Sequence, residues 1–170
     1  MTDKVGFSVW LIPEDEQCCQ LQSIISKLSD RFNAPDFIPH VTIYCGEVES
    51  LDKVKDVLDS FVQQALPITL DVKGMNATER LFQTLFVTFD ENAALKDLYA
   101  KIANGLPHSG DDQLKAHLSL LYKDMPLEEK KALIDEIDLS LSRIKFDKID
   151  LIHEEDADIV SSWHCAHRFK

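Results

Sequence analysis

Apolar positions in this chain switch repeatedly between a period of two and a period of three to four. Phe7 to Ile12 (FSVWLI) is a dense apolar run closed by Pro13, which predicts a strand. Cys18, Leu21, Ile25, Leu28 and Phe32 then recur at helical spacing and predict an amphipathic helix. Ile38 to Cys45 predicts a strand ended by Gly46, and Leu51, Val54, Leu58 and Phe61 mark a second helix. Ile68 to Val72 and Leu81 to Phe89 read as strands separated by a turn at Gly74-Met-Asn-Ala. Leu95, Leu98, Ile102 and Leu106 form a third helical stripe, with Asn92 placed to cap it. Leu114 to Tyr122 predicts a strand, and Pro126 opens a fourth helix that runs to Ile137. Two last strands fit Ile144 to Ile152 and Ile159 to Phe169, with the acidic His153 to Asp158 as a solvated loop between them.

The order strand, helix, strand, helix, strand occurs twice. A shift of 77 positions pairs Val9 with Phe86, Glu14 with Glu91, Ile25 with Ile102 and His40 with His117. A shift of 76 aligns Ile68-Thr-Leu-Asp with Ile144-Lys-Phe-Asp. Identity is thin, but the type of element repeats throughout. The pattern predicts an α+β fold of two lobes related by an approximate twofold axis. Residues 1–170 then form one domain.

The repeat also carries chemistry. Strand alternation puts His40, Thr42 and Tyr44 on one face, and Val41, Ile43 and Cys45 on the other. In the second copy His117 and Ser119 share a face opposite Leu118 and Leu120. The aliphatic faces have helices to pack against, which leaves the histidine faces to line a cleft. A single strand histidine beside a hydroxyl is ordinarily a half-buried ring satisfied by backbone. Two at matched positions point instead to paired general acid and base work. Displacement at phosphorus needs one group to activate the attacker and another to protonate the leaving oxygen. Thr42 and Ser119 can donate to the non-bridging oxygens.

Composition narrows the ligand. Thirty acids against 18 bases give a net charge of −12, which disfavours extended contact with a nucleic-acid backbone. A small phosphate held by a few local donors remains compatible. Four cysteines, two of them adjacent (Cys18 and Cys19), do not form a disulfide framework. The start, Met1-Thr-Asp-Lys-Val, lacks a signal-like region and no apolar run approaches membrane-spanning length. A reduced, monomeric, cytoplasmic protein with no membrane contact is expected.

HVTI (His40–Ile43) and HLSL (His117–Leu120) resemble the paired H-x-[TS]-x motifs of the two-histidine (2H) phosphoesterase superfamily. Within it the chain is most similar to the plant- and yeast-like cyclic phosphodiesterases, through FSVWLIP, LFQTLFV (Leu81–Val87) and the tyrosine after HLSLL. The resemblance implies a bilobal fold with the site between two antiparallel sheets and the helices outside, and opening of small cyclic phosphates without metal or cofactor. Its substrates would be nucleoside 2′,3′-cyclic phosphates, opened to 2′-phosphates, or ADP-ribose 1″,2″-cyclic phosphate. It makes His40 and His117 the catalytic pair and Thr42, Ser119 and Tyr122 the phosphate ligands. Strict alternation sets Tyr122 opposite Ser119, so this role requires a bulge after Leu120. Two rival readings are an enzyme similar to the 2′-5′ RNA ligase-like proteins that opens cyclic RNA ends, and a module that binds nucleotide without turnover.

Other residues carry weaker signals. Trp10 and Phe82 are candidate base or ribose contacts, with ordinary core packing as the alternative. Lys115 reads as a solvated lysine rather than a phosphate ligand. His164, Cys165 and His167 are zinc-ligand types, but an unbroken strand points the two histidines to opposite faces and no matching second pair exists. Cys45 reads as a small buried hydrophobe.

Overall fold

Capping chemistry sets the element ends. Asn92 accepts the Leu95 N–H through its side chain and donates to the Thr69 carbonyl, tying helix start to neighbouring strand. Pro126 stands at the N-cap of the last helix. The computed structural model describes residues 4–108 and 114–170. Met1–Asp3, part of the segment read for a leader, lie outside them. Among the described residues the strands are β1 (Val5–Pro13), β2 (Val41–Val48), β3 (Ile68–Ala77), β4 (Leu85–Asp90), β5 (His117–Leu121), β6 (Arg143–Glu154) and β7 (Trp163–Phe169). The helices are α1 (Asp15–Phe32), α2 (Leu51–Asp59), α3 (Val62–Ala65), α4 (Ala93–Gly105) and α5 (Leu127–Glu136). No helix among them is long and apolar enough to cross a membrane.

Several boundaries differ from the sequence expectation, each for a local reason. Gly74 does not end a strand. It sits at a β-bulge, with a φ of 157°, and β3 continues through it to Ala77. Gly46 likewise lies inside β2, where a side chain would run into the Pro107 carbonyl and the Phe7 ring. The second helix breaks because Phe61 leaves helical geometry and the Ser60 hydroxyl caps the Val57 carbonyl. Leu81–Gln83 is a 3-10 turn, tightened by the Thr84 hydroxyl on the Leu81 carbonyl, so β4 starts only at Leu85. β6 extends through His153 and Glu154, and β7 begins at Trp163 rather than Ile159.

All strand pairings are antiparallel. The two expected sheets are instead one ladder, β1-β2-β5-β4-β3-β6-β7, closed by pairing of β1 with β6. The third strand of each repeat crosses over: β3 pairs with β4 of the second repeat, and β6 with β1 of the first. β6 is long enough to hold β3 at residues 143–146 and β7 at residues 149–154, which merges the sheets. Val9, Leu11, Val41, Val87, Leu118 and Leu151 pack with Leu21, Ile25, Leu58 and Leu98 of the helices in one continuous core. The opposite side carries a separate small cluster of Trp10, Ile12 and Ile152.

Beside Trp10 in the ladder, β6 buries Asp150, which accepts two 2.7 Å hydrogen bonds from Arg168 of β7. Bidentate geometry is what makes such a burial tolerable. Arg168→Met leaves that carboxylate unpaired and is expected to cost about 3–5 kcal/mol in urea unfolding. Lys55→Met, which removes the exposed Lys55–Asp59 pair, should cost less than about 1 kcal/mol. Equal losses would show that the buried pair holds nothing.

Candidate active site

β2 and β5 meet at one Cα partnership, Val41 with Leu118. In an antiparallel pair that register sets His40 across from Ser119, and Thr42 across from His117. All four side chains leave the sheet on the face opposite the aliphatic core, with the two histidines on the diagonal. The bridge thus gathers both motifs into one patch. His40 and Ser119 are buried, whereas Thr42 and His117 are partly exposed.

Each motif then breaks its own alternation. Val9 pairs with Tyr44 but Trp10 with Thr42, so Ile43 is an extra residue in β2. Leu85 pairs with Leu121 but Phe86 with Ser119, so Leu120 is an extra residue in β5. Both bulges fall on the fourth position of the H-x-[TS]-x motif. The one in β5 supplies the bend that returns Tyr122 to the face of Ser119. The one in β2 overturns two expectations. Tyr44 turns into the core, where its hydroxyl donates to the Leu106 carbonyl. Cys45, expected to be buried, is partly exposed and pairs with Ser8 on the other side.

Both imidazoles are held alike. Nδ1 of His40 lies 2.7 Å from the Ile38 carbonyl, and Nδ1 of His117 lies 2.9 Å from the Lys115 carbonyl. A carbonyl only accepts, so Nδ1 carries the hydrogen in each and Nε2 is left to exchange a proton. Trp10 stacks flat on His40, with centroids 3.6 Å apart and planes 9° apart. Phe86 meets His117 edge to face at 5.4 Å and 69°.

A family model described as cyclic phosphodiesterase-like protein matches residues 5–169. The chain belongs to the cyclic phosphodiesterase-like family, within the two-histidine phosphoesterases. It is similar to a cyclic phosphodiesterase of Arabidopsis thaliana, 26% identical over 143 residues, covering 82% of this chain and 79% of that protein. Its fold is similar to Escherichia coli LigT in apo form, with a TM-score of 0.62 at 14% identity, covering 98% of this chain and 97% of that one. Usb1 of Kluyveromyces marxianus shares it at a TM-score of 0.51 and 13% identity, over 86% and 92% of the two chains.

In this member of the cyclic phosphodiesterase-like family, His40, Thr42, His117, Ser119 and Tyr122 come together. Ser119 donates to the Phe82 carbonyl at 3.2 Å, which docks the loop carrying Phe82 onto the site. Trp10 has one face covered by His40 and its rim met by Trp163. Phe37 stacks on Tyr122 at 4.1 Å. Trp163 also meets Phe82 and Tyr122, at 5.6 and 6.1 Å. Phe37, Phe86 and Trp163 are absent from the sequence-derived set. Only Phe86 had a usable signal, because the strand register equates it with Trp10 at a shift of 76. Lys115 is exposed and contributes its carbonyl.

A bulge at Ala166 sets His164 and His167 on the same side of β7, against the alternation argument. Among the described residues no group of three or more His, Cys, Asp or Glu is placed to hold a metal ion. His167 instead packs against Phe169.

Burial dominates the acid–base behaviour of the site. It lowers His40 to about 4, against the opposing hydrogen bond to Ile38 and with further lowering from His117. It lowers His117 as well, again opposed by the bond to its carbonyl. It pushes Tyr122 up to about 12, so the phenol stays protonated and able to donate. A histidine that ionises in the unfolded chain near 6.5 and in the fold near 4 destabilises the fold as pH falls through that window. The loss is about 3 kcal/mol, at 1.36 kcal/mol per unit. Stability measured by urea unfolding is therefore expected to be flat above pH 6.5 and to fall toward pH 4, with His40→Asn flattening most of the slope. An equal slope in that variant would assign the effect elsewhere.

Proposed function

We propose that this protein hydrolyses small cyclic phosphodiesters: nucleoside 2′,3′-cyclic phosphates, ADP-ribose 1″,2″-cyclic phosphate, or both. The register that puts His40 and His117 on one face, each with Nε2 left to exchange a proton, carries this reading. One imidazole accepts a proton from water as the water oxygen bonds to phosphorus. The bond from phosphorus to one ribose oxygen breaks, and the other imidazole, protonated, hands its proton to that oxygen. Both transfers use side chains alone. Thr42, Tyr122 and Ser119, its hydroxyl turned away from the Phe82 carbonyl, donate to the non-bridging oxygens as charge builds there. By analogy with the family, a 2′,3′-cyclic nucleotide leaves as the 2′-phosphate. Four free thiols fit a reducing cytoplasmic setting.

His40→Ala and His117→Ala are each expected to lower kcat/KM by about 10²- to 10⁴-fold, with the double variant little worse than the poorer single one. Thr42→Ala and Ser119→Ala should lose less, because water can replace a hydroxyl donor. Near wild-type hydrolysis by both folded histidine variants would end this reading.

A panel of 2′,3′-cyclic mononucleotides, ADP-ribose 1″,2″-cyclic phosphate, a 3′,5′-cyclic nucleotide and an oligoribonucleotide with a cyclic end tests the substrate class. With a net charge of −12, turnover of the oligonucleotide should not exceed that of the small cyclic phosphates, and the gap should be widest at low salt. Preference for the longer RNA, weakening as salt rises, would instead favour action on RNA ends.

A further inference from the structure

The strand register equates Trp10 of β1 with Phe86 of β4: Trp10 lies across from Thr42, and Phe86 across from Ser119. Each repeat therefore backs its histidine with an aromatic from the neighbouring strand. The two aromatics are not used alike. The indole lies parallel on His40 at 3.6 Å, and His40 is only 5% exposed. Phe86 presents its ring at 69° to His117, at 5.4 Å, and leaves that imidazole open to solvent in part.

We propose that Trp10 and Phe86 are positioning residues that break the symmetry of the repeat, the flat indole holding His40 as the neutral base while the Phe86 ring leaves His117 able to arrive protonated as the acid. This rests on the cyclic phosphodiester reading and adds to it which histidine plays each part. The argument is one of solvation. A ring covered on one face and buried around its edge loses most of the water that an imidazolium needs, whereas a partly open ring keeps it. The attraction of an indole face for a cation works the other way but is smaller than the burial effect.

Charged neighbours act on His40 less than burial does: His117 from β5 lowers it further, while Asp150 from β6, itself paired with Arg168 of β7, works the other way. On the side of His117, Glu91 accepts the Ala116 N–H, while the exposed Lys115 supplies a carbonyl. In line with these surroundings, burial lowers both imidazoles, with His40 brought to about 4. Neutral His40 with protonated His117 is then the active form of the free enzyme. Its kcat/KM should form a bell whose acid limb belongs to His40 and whose alkaline limb, below pH 6.5, belongs to His117.

Two readouts test the proposal, on Trp10→Leu, Trp10→Phe and Phe86→Leu. The first is NMR titration of the histidine ring resonances in the substrate-free protein, assigned with His40→Asn and His117→Asn. His40 is expected to titrate below His117 in the wild type. Trp10→Leu should move His40 toward 6.5 and leave His117 nearly in place, Phe86→Leu should do the reverse, and Trp10→Phe should move His40 by less than leucine does. The second readout is the pH profile of hydrolysis. Trp10→Leu should raise the acid limb alone and lower kcat by about tenfold or more with KM little changed, and Phe86→Leu should raise the alkaline limb alone. His117 titrating below His40, or one variant moving both limbs, overturns the assignment. A higher KM with both limbs and kcat unchanged would make Trp10 a ligand-stacking surface and overturn its positioning role. Should the leucine variant fail to fold, Trp10→Phe and the wild-type titration order still decide. A protein that titrates as expected but opens no cyclic phosphate refutes the proposed function and leaves the ordering of the two histidines standing.

Discussion

The pairing of Val41 with Leu118 is the constraint on which the rest depends. Both side chains are fully buried on the helix side, so sliding either strand by one residue would carry an aliphatic side chain out of the core and a histidine into it. The core thus sets the register, and the register sets the chemistry. Because this is the one partnership between β2 and β5 among the described residues, the strands separate beyond it, and each bulges immediately afterwards. That departure lets Tyr122 rejoin the face of Ser119 and lets Tyr44 return to the core.

The crossed third strands explain why two halves behave as one body. Had β3 stayed with β1 and β6 with β4, each repeat would have closed on itself and its histidine would have faced away from the other. Exchange instead ties β1 to β6 and β4 to β3, so that β1-β2 and β5-β4 are brought edge to edge. The repeated motif becomes a single site only through that exchange. Geometric repetition extends to details no side chain encodes. In both copies the imidazole is oriented by the carbonyl two residues upstream, and the extra residue is the fourth of the motif.

What the sequence discloses and what it conceals follow from the same rules. Periodicity places the helices and strands, because burial of one face is written directly in residue spacing. The two motif histidines are legible because they repeat. Bulges are not, since alternation assumes an unbroken register; Tyr44, Cys45 and the pair His164 and His167 were all misplaced for that reason. Phe86 was hidden by one residue. The histidines repeat at 77, but the strands behind them pair as if the repeat were 76, so the 77-residue alignment matched Phe86 with Val9 instead of Trp10. Trp163 reaches the site through the pairing of β7 with β6, a contact with no local trace in the chain.

An acidic protein that acts on anions needs its charge arranged rather than reduced. The buried carboxylate nearest His40, Asp150, is neutralised in place by the two hydrogen bonds of Arg168. Exposed acids elsewhere are screened beyond about 8 Å at physiological salt. In the proposed function, a phosphate beside the two histidines responds first to the hydroxyls of Thr42, Ser119 and Tyr122 and to the proton on one imidazole. On that reading a nucleic-acid backbone would also have to lie along an outer surface that shares the net charge of −12. Net charge and local donors thus act at different ranges: the first limits how much of a ligand can approach, and the second decides what is held once it does.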